Sequence, residues 1–525
     1  MKFKLLILCI LILLFEVSPA QNKNLSGGIV FDGEPYLAVN PQNPQHIVVA
    51  WMGYVFLNRI MIKTRVSFDG GKNWSTAQNT PHVSEGYISA DPSLAFDSNG
   101  NIFLCLIDYD PYFSSGAVYV RKSTDGGLIW GNPVMVINYD SDPGKLPIDR
   151  PWIAIDRSGG AYNGNIYITA VNATGANGPP YHPYFIRSVN NGESFETWRY
   201  ADTTGWLSGS LVKKPMPTPV VTSDGIFHCI YPGYVLSQGL LPKFILASSS
   251  DAGTGFTYNT VYASSSSVAV SDTSAKKGYL LRSNPANAQN LAFFNLSNEN
   301  GDADVYFRES FDSGLTWSQG LRINDDPLGN GRMQDLIWAS FDTDGDLAVT
   351  WRDRRNAPDT GYAASYEIYG SVRLKNSSTY SANFRISDTS VSFDDVLFES
   401  GNDFMCVELV NDTINALWGD TRNGNLNIWF QRMTLDGALV SVNQLAKEEL
   451  PGIKIIQTDR NTLVIEANMI SGYALSTISG QIIMKTGNLP GNESEAIDVS
   501  GLPAALYLLK VETGNGTIIQ KVFIK

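Results

Sequence analysis

The amino-acid sequence predicts an all-β protein: a β-propeller of six or seven blades, seven preferred, followed by a small β-sandwich. A string of the form Ser-x-Asp-x-Gly-x-x-Trp recurs along the chain, as in SFDGGKNWS at residues 67–75. Its copies lie about 60 residues apart, a period typical of a repeated unit of several short strands. Asn-Gly and Asp-Gly turns join apolar strand-like runs, and no helical periodicity interrupts them.

Each predicted blade begins with two apolar strands joined by a tight turn, as in DPSLAFDSNGNIFLCLIDY at residues 91–109. A third strand follows, and the recurring string then forms the turn to a fourth. Its Asp can accept backbone hydrogen bonds, its Gly takes a conformation that other residues resist, and its Trp packs between blades. We therefore interpret the string as a structural turn. The residues concerned are Asp69, Trp74, Asp125, Trp130, Asp251, Asp312 and Trp317.

Counting first strands gives seven blades. Their starts lie near Glu34, Asp91, Asp149, Lys214, Leu280, Gln334 and Asp394. The last two lack a good copy of the string, so six blades with one degenerate unit is the alternative. Near residue 446 the chain changes to short alternating strands with Gly, Asn and Pro turns. The predicted parts are a leader at 1–20, the propeller at 21–445 and the sandwich at 446–525.

Composition limits the function classes. Lys2 and Lys4 precede an apolar run too short to span a bilayer, which is typical of an export signal. The formal net charge of -13 disfavours nucleic acid as a partner, because phosphate binding depends on basic residues. No later apolar stretch reaches membrane-spanning length. Beyond the leader, Cys105, Cys229 and Cys406 lie in strand-like runs and are expected to be buried free thiols.

The repeated Ser-x-Asp-x-Gly-x-x-Trp, in register over residues 30–440, resembles the Asp-box (BNR) repeat of the sialidase superfamily. The resemblance implies a propeller with its ligand face opposite the Asp boxes. The superfamily also includes other glycosidases, polysaccharide lyases and non-catalytic propellers. Its sialidases carry an arginine in a Phe/Tyr-Arg-Ile-Pro motif that opens the first blade. Here the corresponding places hold Gly33, Ala90 and Asp149, with Arg150 one place off.

The tail is similar to the C-terminal sorting domain of the type IX secretion system of Bacteroidota. The matching features are a SxxGQII turn at 476–483, the stretch IDVSGLPAALYLLKV at 497–511 and the closing KVFIK. This resemblance implies the type IX machinery as a partner and a secreted or cell-surface destination. Many such substrates lose the tail on export.

The predicted ligand face collects the starts of first strands and the ends of second strands. Polar residues there are Glu34, Asp91, Asp108, Asp110, Asp149, Arg150, Arg282, Arg332, Gln334, Asp335, Asp394 and Asp395. Carboxyl pairs can supply a general acid and a base or nucleophile, guanidinium groups bind charged sugars, and Trp rings stack on sugars. Candidate catalytic residues are Asp149, Arg150, Asp353, Arg355, Asp420, Arg422 and Tyr366. Candidate substrate-binding residues are Trp351, Trp418, Arg282 and Asp91.

These candidates have alternatives. The repeated Trp-x-Asp-x-Arg of residues 351–355 and 418–422 can form an ion pair within its own blade, and this structural role is favoured. Tyr366 could pair with Glu367 as a nucleophile, although strand alternation separates them. His182 is the histidine best placed to act as a lyase base. Asp342, Asp344 and Asp346 resemble a calcium loop, but a hairpin turn is favoured, so no metal and no cofactor are expected.

The leading hypothesis is an exported, sialidase-like propeller that binds extracellular glycans and hydrolyses them as a glycoside hydrolase. One alternative is a non-catalytic surface binding or adhesion propeller, and a second is a polysaccharide lyase. The missing Arg-Ile-Pro motif favours the binding propeller. The concentration of acids and arginines on one face favours the enzyme.

Overall fold

The computed structural model describes residues 22–56, 59–145, 148–172, 180–209, 216–235, 237, 241–264, 278–392, 402–439, 453–457, 461–477, 482–503, 505–514 and 516–524. The chain forms two compact units, Met1–Val440 and Ser441–Lys525. Within these ranges the chain forms strands and turns, and they contain no helix that could cross a membrane. The predicted leader and the predicted boundary at 445 and 446 lie outside the described residues.

Seven four-stranded antiparallel sheets make up the described part of the first unit, and we number them as blades 1 to 7. The chain begins with β1 (Lys23–Asn24), the outer strand of blade 7. Blades 1 to 3 contain β2 (Asp32–Asn40), β3 (Asn43–Val55), β4 (Arg59–Ser67), β5 (Gln78–Asn79); β6 (Ile88–Phe96), β7 (Ile102–Tyr109), β8 (Gly116–Ser123), β9 (Val134–Asn138); and β10 (Ile148–Ile155), β11 (Ile166–Asn172), β12 (Tyr184–Ser188), β13 (Arg199–Tyr200).

Blades 4 to 7 continue the same order along the chain. They contain β14 (Thr218–Val221), β15 (Phe227–Gly233), β16 (Lys243–Ser249), β17 (Thr257–Ala263); β18 (Tyr279–Ser283), β19 (Leu291–Ser297), β20 (Asp304–Ser310), β21 (Leu321–Arg322); β22 (Gln334–Phe341), β23 (Leu347–Asp353), β24 (Glu367–Arg373), β25 (Phe384–Arg385); and β26 (Cys406–Val410), β27 (Thr413–Asp420), β28 (Asn427–Thr434).

The blades form a closed ring. The first strand of each blade contacts the first strand of the next, and β26 of blade 7 contacts β2 of blade 1. The chain start completes blade 7, because β1 pairs antiparallel with β28. Next to this pairing, Leu25 is fully buried and its N–H donates to the carbonyl of Ile428 (2.8 Å). The prediction of an all-β propeller is confirmed.

The recurring string forms the turn between the third and fourth strands. In the first copy, Ser67 Oγ donates to Asp69 Oδ1 (2.9 Å) and accepts from the N–H of Gly71 (2.8 Å). Asp69 Oδ1 also accepts from the N–H of Asn73 (2.8 Å), so two side chains hold the whole turn. The Trp74 ring packs edge-on against Phe430 of blade 7 at 5.2 Å between centroids. The same Ser-Asp contact recurs at residues 123–125, 249–251 and 310–312.

The second unit contains β29 (Ile453–Gln457), β30 (Thr462–Thr477), β31 (Ile482–Asp498), β32 (Ala505–Thr513) and β33 (Gly516–Ile524). All five strands hydrogen-bond into one antiparallel sheet, where the sequence suggested a sandwich. Register shifts between Glu466 and Gly472 divide β30 into halves. The first half pairs with β29 and the second with β32, while β31 pairs with both. Its apolar core includes Ile465, Leu475 and Leu509.

Candidate functional site

The first strands of blades 1, 2 and 3 each begin with a β-bulge that carries a strained residue. The ladder skips between Gly33 and Tyr36, between Ala90 and Ser93, and between Asp149 and Trp152. The bulged residues have positive φ, and they are Glu34 (53°), Asp91 (52°) and Arg150 (49°). Residues other than glycine are uncommon in this left-handed region, where strain of about 1–3 kcal/mol often marks a functional site.

These three side chains come together with two further acids. Arg150 forms an ion pair with Asp403 of blade 7, and its Nη1 lies 3.9 Å from Asp149 Oδ2. The backbone N–H of Arg150 donates to Asp149 Oδ1 (2.9 Å) and to Asp91 Oδ2 (3.2 Å). The Asp91 carboxyl hydrogen-bonds with those of Glu34 and Asp149. We call Glu34, Asp91, Asp149, Arg150 and Asp403 the carboxyl cluster.

The electrostatics of the cluster favour a bound proton. Glu34 is 3% exposed and Asp91 is 6% exposed, and four carboxyl groups face one guanidinium. Burial, followed by the neighbouring Glu34 carboxylate, raises the pKa of Asp91 to about 8. Burial also raises the pKa of Glu34. At neutral pH the hydrogen-bonded Glu34–Asp91 pair therefore holds a proton, as a carboxyl pair sharing one site does.

Arg150 is held in its charged form. Burial by itself would lower the pKa of its guanidinium, but Asp403 and Asp149 outweigh burial and raise that pKa. Its ion pairs with these two acids leave the cluster with a net negative charge. Among the described residues no group of His, Cys, Asp or Glu side chains fits a metal ion.

An aromatic layer is built mostly from residues close in sequence to the cluster. It consists of Tyr36, Trp152, Trp338 and Phe404, which belong to blades 1, 3, 6 and 7. Ring centroids lie 5.5 Å apart for Tyr36 and Trp338, 5.3 Å for Trp152 and Trp338, and 5.7 Å for Trp152 and Phe404.

The two Trp-x-Asp-x-Arg motifs form separate ion pairs within blades 6 and 7. Trp351 Nε1 donates to Asp353 Oδ2 (2.6 Å), which also accepts from Arg355 Nη2 (2.8 Å). Blade 7 repeats this with Trp418 Nε1 at 2.7 Å and Arg422 Nη2 at 2.6 Å from Asp420 Oδ2. Trp351 is 0% exposed and Trp418 is 1% exposed, so neither ring offers a face on which a sugar could stack.

The remaining candidates lie outside the cluster. Arg282 donates to the carbonyl of Ala339 (2.7 Å) and stacks over Trp338 at 5.1 Å, beside the aromatic layer. Tyr366 is buried beneath Arg352, whose guanidinium lies 4.9 Å from the ring. His182 lies 2.9 Å from Asp202. Of the predicted face positions, Asp335 pairs with Arg352 and Arg354, and Asp394 and Asp395 lie outside the described residues.

Three other predicted sites take structural positions. Lys375 Nζ lies 2.6 Å from Asp344 in the turn that resembles a calcium loop. Asp108 accepts from Ser89 Oγ and lies 2.9 Å from His82 Nδ1. Asp110 holds the loop after β7 through five hydrogen bonds from residues 112–115. Within the described ranges Cys105, Cys229 and Cys406 are buried free thiols.

The sequence analysis placed Asp149, Arg150 and Asp91 on one face as candidates, and the structure brings them together, but it assigned no role to two further members of the cluster. Asp403 was not singled out, and Glu34 was placed on the face without a role. The signal was present in the repeated Glu-Pro, Asp-Pro and Arg-Pro steps at 34–35, 91–92 and 150–151. A proline after each bulged residue marks three equivalent positions in three consecutive blades.

The comparisons with known proteins bear on the tail and on the fold. Residues 457–525 match the model of the secretion system C-terminal sorting domain. The chain carries a type IX sorting tail. Export to the cell surface or into the medium, predicted from the sequence, is thereby confirmed. A comparison with curated proteins gives no match.

Several solved structures are similar to most of the chain. A Hadza microbial sialidase is 15% identical, with 74% of this chain and 75% of that chain covered and a TM-score of 0.41. An α-L-arabinofuranosidase of Fusarium graminearum is 10% identical (80% and 98% covered, TM-score 0.43). An α-L-arabinanase of Penicillium chrysogenum is 12% identical (80% and 99% covered, TM-score 0.43). Likenesses this distant transfer no activity to the chain.

Proposed function

We propose that the protein is an exported glycoside hydrolase whose active site is the carboxyl cluster. The observation that carries this proposal is the hydrogen-bonded Glu34–Asp91 pair, in which the pKa of Asp91 is raised to about 8. A glycosidic bond breaks readily only when its leaving oxygen receives a proton. A carboxylic acid that stays protonated at neutral pH is the usual donor in glycosidases.

In the proposed reaction Asp91, supported by Glu34, donates its proton to the glycosidic oxygen as the bond between that oxygen and the sugar carbon breaks. A water molecule adds to the sugar carbon and loses its proton to a second carboxylate of the cluster. Arg150 positions the carboxylates of Asp149 and Asp403 through its ion pairs. Proton transfer back to Asp91 completes the turnover.

The charge of the cluster favours a neutral sugar over a carboxylated one. Four carboxyl groups surround Arg150, and Arg150 is already engaged by Asp149 and Asp403. A sugar carboxylate would meet the net negative charge of the cluster. We therefore propose a neutral glycan as the substrate, in place of the sialic acid that the sequence resemblance suggested.

The test is a product assay of the purified protein on arabinan, xylan, galactomannan, β-glucan and a sialylated glycoprotein. We expect new reducing ends from a neutral polysaccharide and no free sialic acid. Asp91→Asn should lower kcat by about 100-fold or more, the scale of a lost general acid. Asp125→Asn, at an exposed Asp-box turn, is the matched control and should leave kcat unchanged.

Three other outcomes would contradict the proposal. Full turnover in Asp91→Asn would remove the proton donor from the mechanism. Unsaturated products, seen by their ultraviolet absorbance, would indicate a polysaccharide lyase. Retained glycan binding without product from any substrate would indicate the non-catalytic binding propeller.

A further inference from the structure

The loop that joins β7 and β8 in blade 2 exposes two aromatic side chains. Tyr112 is 90% exposed and Phe113 is 51% exposed, whereas most aromatic rings of the first unit are packed in its core. The loop covers residues 110–115, and Tyr87 borders it because its hydroxyl donates to Ser115 Oγ (2.8 Å). We call residues 110–115 the aromatic loop.

The aromatic loop is rigidly held in a strained conformation. Asp110 accepts from the backbone N–H groups of Tyr112 (2.8 Å), Ser114 (2.6 Å) and Ser115 (2.5 Å), and from both serine hydroxyls. Phe113 has φ of 54°, which is an outlier for a bulky residue. Such strain persists only where the surroundings enforce it, and it is concentrated at ligand sites. The hydrogen bonds of Asp110 therefore hold two rings in solvent at a conformational cost.

The aromatic loop lies one side chain away from the carboxyl cluster. The Phe113 ring packs edge-on against Tyr109, with 5.9 Å between centroids. The Tyr109 hydroxyl donates to the carbonyl of Ile148 (3.0 Å), the residue before Asp149. Burial and then the Asp149 carboxylate raise the pKa of Tyr109. In the ladder of blade 2, Ile88 pairs with Tyr109, three residues before Asp91.

We propose that the aromatic loop is a sugar-binding subsite, where Tyr112 and Phe113 stack on a ring of a glycan whose scissile bond lies at the carboxyl cluster. This inference rests on the proposed function and adds that the substrate is an oligomer or polymer that extends beyond the scissile bond. Tyr and Phe rings offer flat apolar faces to the C–H face of a sugar. The neighbouring Ser114 and Ser115 hydroxyls supply polar groups at the rim.

A glycan fits this surface better than a protein partner. Two rings on a short loop make a small apolar area, and they are surrounded by Asp110 and two serines. Protein interfaces usually bury about 800 Å² per partner around a larger apolar centre. A single stacked sugar ring needs only the area that this loop presents. A glycan bound at the adjacent carboxyl cluster would extend to the aromatic loop.

The experiment measures affinity in native gels that contain arabinan, xylan, galactomannan or β-glucan, and kcat and KM on long and short substrates. Tyr112→Ala and Phe113→Ala should each weaken retardation of the full protein by about tenfold, the scale of one aromatic contact. They should raise KM on the polymer and leave kcat on an aryl monosaccharide unchanged. Phe311→Ala, which removes a 62% exposed ring from an Asp-box turn, is the matched control and should behave as wild type.

Asp110→Ala keeps both rings but removes the groups that hold the loop, so it should weaken polymer binding with no change on the aryl monosaccharide. Wild-type affinity in both Tyr112→Ala and Phe113→Ala would overturn the inference. If the polymer is bound through Tyr112 but never cleaved, the proposed function fails and the subsite stands. If it is cleaved normally by all three variants, the proposed function stands and the subsite fails. Retardation by none of the four polysaccharides would overturn both.

Discussion

Because the pKa of Asp91 is raised to about 8, we predict that the free energy of unfolding falls as the pH rises from acidic to neutral values. The folded protein holds a proton on Asp91 up to about pH 8, whereas the unfolded chain releases it near the ordinary value of 3.8. Folding therefore takes up a proton between these two pH values. The free energy of unfolding should fall by about 1.4 kcal/mol for each pH unit in that window, and by about 3 kcal/mol between pH 5 and 7.5.

Asp91→Asn isolates this contribution, because the amide is similar in size, can hydrogen-bond with Glu34 and cannot ionise. All other titrating groups are shared, so the difference between wild type and variant should follow one proton. Urea unfolding at pH 5, 6, 7 and 7.5, followed by tryptophan fluorescence, measures it. All 11 tryptophans lie between Trp51 and Trp429, so the signal reports the first unit alone.

Asp69→Asn provides the control for this measurement. Hydrogen bonds from Asn73 and Ser67 outweigh burial and lower the pKa of Asp69, which stays ionised in both states above pH 5. Its profile should run parallel to that of wild type. If Asp91→Asn also runs parallel to wild type between pH 5 and 7.5, Asp91 carries no proton there and cannot be the acid of the proposed mechanism.

Two further predictions concern the ring and the ion pairs. Leu25→Ala should lower the free energy of unfolding by about 2–5 kcal/mol, because it leaves a cavity at a fully buried site beside the closing strand. The control Ile29→Ala, at an 85% exposed residue, should change it by less than about 0.5 kcal/mol. Urea unfolding of both variants measures the difference. Asp353→Asn should lower the free energy of unfolding by about 1–3 kcal/mol because Arg355 keeps Asp325 but loses its buried partner, with kcat/KM unchanged. A lower kcat/KM with an unchanged free energy of unfolding would indicate that Asp353 belongs to the active site.

The fold was predictable because its signals are local and repeated. Each Asp-box turn needs Ser and Asp two residues apart and a glycine two residues after the Asp, and hydrogen bonds within seven residues satisfy it. The period of these turns determines the blade length. The contribution of Lys23 and Asn24 to blade 7 could not be predicted, since two residues of strand carry no periodic pattern and pair with Phe430 and Trp429, far away in the sequence.

The candidate site was predictable only in part, because strand register decides which charges meet. Trp351 and Asp353 are two residues apart on one strand and so point to the same side, which allows the indole to donate to the carboxylate within the blade. The sequence shows the same spacing for a catalytic or a structural pair. At residues 149 and 150 the bulge adds one residue, and this places Arg150, and not Asp149, in the position that Glu34 and Asp91 occupy.

Blade 6 shows that the bulge itself does not require a charged residue. Its first strand skips between Asp335 and Trp338, and the residue with positive φ is Leu336 (53°), which is 3% exposed. The bulge therefore accepts an apolar side chain, and the ring closes with one there. Burying Glu34, Asp91 and Arg150 at the equivalent positions adds a desolvation cost that the fold does not demand. Charged groups that are costly to bury, strained in backbone and shifted in pKa are expected where they serve chemistry, and this favours the cluster as the site of reaction.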